Sequence, residues 1–141
     1  MNYPPVLNLA DEQAYERYYF EYLCSKMIVT FDGIRVYFAK GAFKHAFYKS
    51  SDRKNPSKDV FAKERAERMH WIECALKDSE AELYVGWNKK KGYEKSRRVA
   101  LIVKNYAVII CIKNDKKAFF ITAYLCDEST VVKIKAGPRW K

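Results

Sequence analysis

The pattern of apolar positions is mainly helical up to Glu82, with one short β-hairpin, and strand-like afterwards, and that change organises everything else. From Leu9 to Met27, Leu9, Phe20, Leu23 and Met27 share one face, Asn8 is a candidate cap, and Asp11 and Glu12 suit a first turn. Tyr15, Tyr18, Tyr19 and Tyr22 widen this surface, so the helix is expected to be covered on more than one side. "MIVTFDGIRVYF" then reads as two short β-rich runs joined by Asp32-Gly33, which favours a type I′ hairpin. In "GAFKHAFYK", Phe43 and Phe47 lie four apart and predict a short helix. "SSDRKNPS" breaks the pattern. The longest predicted helix runs from about Lys58 to Lys77 with Ser57 as its cap. Phe61, Met69, Ile72 and Leu76 fall on one arc, with Arg65 in its middle and Arg68 at its edge.

After Glu82 the character changes to strands, "LYVGW", "RRVALIV", "AVIICI" and "AFFITAYL", and the connections after Val99 are too short for helical crossovers. An antiparallel meander is expected, to which "TVVKIKAGPRWK" can add an edge strand. The predicted fold class is α+β: N-terminal helices with a small β-hairpin, packed on one face of a roughly four-stranded antiparallel sheet. A single domain over 1–141 is expected, with a helical half at about 1–82 and a basic β-meander half at about 83–141. Strict alternation in 118–128 sends Phe119, Ile121, Ala123 and Leu125 to the core. It leaves Phe120, Thr122, Tyr124 and Cys126 on the other face, which either meets more protein or forms the floor of a concave surface, the basic strands around it favouring the second.

Charge sharpens this division. Residues 1–83 carry 13 basic and 13 acidic side chains, whereas residues 84–141 carry 14 basic and 4 acidic, so the whole net charge of +10 belongs to the β-half. A one-sided basic surface attracts a polyanion, and nucleic acid is the commonest cytoplasmic one. The four cysteines, Cys24, Cys74, Cys111 and Cys126, form no CxxC pair and read as buried, reduced thiols. The N-terminus has no basic-then-apolar leader pattern, and "YAVIICI" is too short to span a bilayer. A cytoplasmic protein without membrane contact is expected.

Candidate chemistry is sparse. Of two histidines, His70 lies opposite the centre of the long helix's apolar arc. His45 points away from Phe43 and Phe47 and is surrounded by Lys44, Lys49, Arg53 and Lys54, cations that favour the neutral imidazole a general base needs. Arg65, on an apolar arc, must either pair with a carboxylate or reach a phosphate site. Arg97 and Arg98 open a strand and so face opposite ways; one of them shares the face of Thr122 and Tyr124. The loop "NKKKGYEKS" offers Lys89, Lys90, Lys91 and Lys95 to a phosphate backbone, with Trp87 or Tyr93 for stacking. No P-loop, GxGxxG, HExxH, GxSxG or Cys/His metal cluster is present, and the basic half has too few carboxylates for a two-metal site. No metal or cofactor is expected.

The succession "FKHAF", "ERAERMHWI", "GYEKSRRVALIV" and "FFITAYL" resembles the phage and mobile-element branch of the barnase, EndoU, colicin and RelE-like (BECR) superfamily of RNases, over about residues 37–140. That resemblance implies a small α+β domain whose sheet carries the site, and metal-independent, toxin-like RNase activity. It implies His45 as acid/base, Arg97 or Arg98 as phosphate clamp, Thr122 and Tyr124 as hydroxyl partners, and an acidic antitoxin or immunity protein as partner. With it, Lys44, Arg65, Arg97, Lys95 and Lys91 become the expected RNA-binding cations. The expected function is thus an endoribonuclease acting on tRNA or mRNA, with 2′-OH attack leaving a 2′,3′-cyclic phosphate. A non-catalytic nucleic-acid-binding domain of a mobile element is the main rival, and a module binding an acidic protein is a third reading.

Overall fold

The computed structural model describes residues 3–50, 60–86 and 98–140. Asp11, not Asn8, caps the first helix: its carboxylate accepts from the Ala14 N–H at 2.8 Å. Helix α1 spans Glu12–Tyr18 and runs on as a π-helical segment over Tyr19–Cys24. Tyr15, Tyr19 and Leu23 are buried along it. Tyr19 stands at the centre of the core, its ring within 6.4 Å of those of Phe20, Phe38, Phe43, Phe47 and Phe120. Its hydroxyl donates to the Ala39 carbonyl at 2.7 Å, which satisfies a phenol that apolar surroundings would otherwise penalise.

Strands β1 (Ile28–Val29) and β2 (Arg35–Tyr37) form the expected antiparallel pair. The connection is longer than a two-residue type I′ turn: Thr30 N–H donates to Ile34 and Gly33 N–H to Thr30, and of the two central residues only Gly33 has positive φ, +91°. Helix α2 spans Ala42–Phe47, with the Phe43 and Phe47 rings 5.3 Å apart and turned inward. Phe61 does not start a long helix. It lies in β4 (Val60–Phe61), paired with β3 (Tyr48–Lys49). The helix expected to Lys77 is broken into α3 (Lys63–Ala66) and α4 (Trp71–Lys77), so that Met69, Ile72 and Leu76 reach the core across a turn. Ser57 lies outside the described residues.

The meander is present as β5 (Glu82–Val85), β6 (Arg98–Val103), β7 (Tyr106–Asn114) and β8 (Lys117–Leu125). The sheet is nevertheless six-stranded and mixed, ordered β1-β2-β8-β7-β6-β5, rather than four-stranded and antiparallel. The hairpin docks on the open edge of β8, and β2 pairs with it in parallel over Arg35–Tyr37 against Lys117–Phe119. That docking satisfies an edge whose backbone groups would otherwise lack partners.

The C-terminal stretch is a helix, not an edge strand. The Asp127 carboxylate accepts from the Thr130 N–H and the Ser129 hydroxyl, nucleating α5 over Glu128–Ala136 despite its β-branched residues. Only afterwards does the chain return to the sheet, where Arg139 bridges Tyr84 on β5.

Helices α1–α4 pack on the sheet face carrying Val99, Leu101, Val108, Ile110, Ile112, Ala118, Phe120 and Ala123. Phe120, expected on the outer face, is thus in the core. A bulge at Ile121 explains the departure from strict alternation: Ile110 pairs with Phe120 but Ile109 with Thr122, so the inward set shifts from even to odd positions along β8. Cys126 is buried and the other three cysteines half-buried, with no disulfide among them. Among the described residues, no helix is long and apolar enough to cross a membrane.

Candidate functional site

The outer face of the sheet holds the site. Register aligns Tyr84, Ala100, Ile109 and Thr122 as one row across β5 to β8, with Ala107 opposite Tyr124 in the next row. Helix α5 lies over these rows, and between helix and sheet is a half-open cavity of about 540 Å³. Its polar side chains are Arg98, Thr122, Tyr124 and Lys133, and Ala100, Ile109 and Ile134 supply apolar wall. Arg98, Thr122 and Tyr124, singled out from sequence, therefore share one cavity. The bulge makes this possible, because it keeps Thr122 and Tyr124 outward while Phe120 and Ala123 both turn inward.

Gly86 fixes the rim. Its N–H donates to the Arg98 carbonyl at 2.6 Å, and a β-carbon there would lie 3.0 Å from the Arg98 Cβ and 3.1 Å from its carbonyl oxygen. Any larger residue would have to push the end of β5 a few tenths of an ångström away from Arg98.

Burial raises the Tyr124 phenol above its ordinary value of 10.0; proximity to Cys126 adds to this and the Arg65 charge offsets part of it. The ring is half-buried, and the Arg65 guanidinium carbon stands 5.4 Å from its centre. Arg65 also donates to the Ala46 carbonyl at 3.4 Å, and the Thr122 hydroxyl donates to the same oxygen at the same distance. Neither sequence reading of Arg65 anticipated this: its charge rests on an aromatic face and a main-chain oxygen. Burial likewise pushes the Cys126 thiol up to about 11, leaving it protonated and unreactive at neutral pH.

His45 and Lys44 are exposed on α2, because the helical period that turns Phe43, Ala46 and Phe47 inward turns them out. Neither lines the cavity. Arg97, Lys95 and Lys91, with Lys89, Lys90, Trp87 and Tyr93, lie outside the described residues. Lys133 was missed by sequence reasoning because "TVVKIK" reads as strand; the signal that could have found it is the capping run Asp127-Glu128-Ser129-Thr130. Among the described residues, no three His, Cys, Asp or Glu side chains are grouped to hold a metal ion. No family model matches this chain, and no curated protein or solved structure is significantly similar to it.

Proposed function

We propose that the chain binds RNA through the cavity beneath α5 and cleaves it as a metal-independent endoribonuclease. The observation that carries this reading is that Arg98, Thr122 and Tyr124, from β6 and β8, line one half-open cavity, with Lys133 above them and Arg65 against the tyrosine ring. A guanidinium grips a phosphate bidentately, and the Tyr124 hydroxyl and the Lys133 ammonium can supply further hydrogen bonds, joined by the Thr122 hydroxyl when it exchanges its long bond to Ala46 for one to the phosphate. Arg98, Thr122 and Tyr124 are held by strand pairing, so little reorganisation of these three is needed as charge accumulates on the phosphorus centre.

In the reaction, a base removes the 2′-OH proton and the oxygen attacks the adjacent phosphorus. The bond to the 5′-oxygen breaks, and that oxygen takes a proton from an acid, leaving a cyclic phosphate and a 5′-OH. Tyr124, held protonated at neutral pH, suits the donor role and not the base. The base is assigned to His45, one residue before Ala46, whose carbonyl receives Arg65 and Thr122. Membership of the BECR superfamily, with an acidic antitoxin as partner and a cytoplasmic location, belongs to the same proposal.

One observation favours the non-catalytic rival: His45 does not line the cavity. The test is incubation of end-labelled tRNA and mRNA in EDTA with wild type, His45→Ala and Arg98→Ala. Cleavage to cyclic phosphate ends, lost in both variants, supports the enzyme. Salt-sensitive retention without product, weakened in Arg98→Ala, supports the binding module. Neither cleavage nor retention overturns both.

A further inference from the structure

Beside the cavity, on the same outer face, the register sets Arg98, Cys111, Phe119 and Tyr37 in one row across β6, β7, β8 and β2. At ordinary strand spacing, Phe119 is roughly 10 Å from Arg98 and Tyr37 one strand further. The two rings tilt against each other with centres 5.6 Å apart, and both are half-buried outside the core. Neither is among the residues that form the cavity with α5, so the helix covers one part of the face and leaves the ring pair beside it.

Cations gather on these rings. The Arg35 guanidinium carbon lies 4.5 Å from the Tyr37 centre, and the Lys117 ammonium 5.1 Å from Tyr37 and 5.4 Å from Phe119. The Lys113 ammonium lies 5.8 Å from Phe119. Among the described residues, none of the three is in a salt bridge. Lys113 and Lys117 are exposed and able to swing. A cation over an exposed ring is held more weakly than a stacked base, so a base arriving on the ring displaces the ammonium toward the phosphate it brings with it.

We propose that Tyr37 and Phe119 form a stacking platform for unpaired bases of the RNA strand whose phosphate enters the cavity at Arg98, with Arg35, Lys113 and Lys117 neutralising its backbone. This rests on the RNA-binding reading above and deepens it. Single strands are favoured over duplex, because a paired base has no free face to offer a ring in a sheet.

The probe is a labelled 2′-O-methyl oligouridylate of about ten nucleotides, which cannot be cleaved, compared with a duplex of equal length. Binding is followed by fluorescence anisotropy. Replacing both rings, Tyr37→Leu with Phe119→Leu, is expected to weaken single-strand binding by about tenfold per ring, with the salt dependence unchanged. Phe119→Trp should bind at least as tightly as wild type. Lys113→Gln with Lys117→Gln, both on the surface, should instead flatten the salt dependence by one or two phosphate contacts' worth. Leucine variants that bind like wild type while Arg98→Ala loses affinity would overturn the platform and leave the cavity reading standing. Equal affinity for duplex, or lysine variants with an unchanged salt slope, would also overturn it. Wild type that retains no RNA removes the underlying reading and the platform together.

Discussion

Arg65 and Thr122 meet on a single acceptor, the carbonyl oxygen of Ala46, each donating to it at 3.4 Å. Through that oxygen, α3, β8 and the last turn of α2 are fastened where β2 no longer pairs with β8. Both bonds are long and individually weak, so the charge of Arg65 is held as much by the Tyr124 ring. Arg65→Met keeps the alkyl packing and removes the cation. Stability should fall by no more than about 1–2 kcal/mol. Because Arg65 lowers the Tyr124 pKa, its removal should move the phenol further upward, which a carbon-13 tyrosine ring titration would detect. A downward movement would contradict the contact.

The Tyr124 phenol, held above 10.0 by burial, stays a hydrogen-bond donor across the neutral range. Tyr124→Phe should therefore weaken binding of uncleavable RNA by about tenfold, the worth of a hydrogen bond to a charged group. The ratio of wild-type to variant affinity should be constant from about pH 6 to pH 9, since a tyrosine with a raised pKa gains no charge there. A ratio that changes within that interval would mean that the phenol ionises on the way.

Phe119 and Phe120 are neighbours with opposite fates, and their substitution tests the bulge. Phe120 is 4% exposed among Phe38, Phe47 and Tyr19, so Phe120→Ala should cost about 3–5 kcal/mol in urea unfolding. Phe119→Leu, on the outer face, should cost below about 1 kcal/mol. Reversed costs would restore the unbroken alternation read from the sequence.

That residue pair also shows what the sequence could and could not reveal. The meander was legible because β5 to β8 are short runs rich in β-branched and aromatic residues, with short connections after Val99, and α2 because Phe43 and Phe47 sit one turn apart. The bulge was not, since an extra residue in a strand leaves no mark on hydrophobicity when Phe119, Phe120 and Ile121 are all apolar. Nor was the parallel docking of β2 on β8, a long-range pairing that local pattern does not encode. Arg98, Thr122 and Tyr124 were legible as polar positions on oily strands, whereas Lys133 required recognising α5 by its cap.

Glu82 holds α5 in place, and its titration should loosen the lid of the cavity. Helix α5 buries none of its own residues, so it depends on tethers. The Glu82 carboxylate reaches the Lys135 ammonium at 3.2 Å and the Arg139 guanidinium at 3.1 Å, and accepts the Tyr84 hydroxyl at 3.2 Å. The hydrogen bond to Lys135 is the main cause holding its pKa below the ordinary carboxylate value; burial opposes it as the next largest effect, and Tyr84 and the charges of Lys135 and Arg139 add to the lowering. A carboxylate whose folded pKa is depressed stabilises the fold above the unfolded value, about 4.3, and that contribution disappears as pH falls through the folded value. Its side chain is 39% exposed, so the contribution is screened and should stay below about 1 kcal/mol. Glu82→Gln should accelerate amide exchange across residues 131–135 at neutral pH with little change in β7, and the difference from wild type should close at the acid end. Exchange in α5 unaltered by the substitution would show that the sheet face, and not the ion pairs, holds the helix over Arg98 and Tyr124.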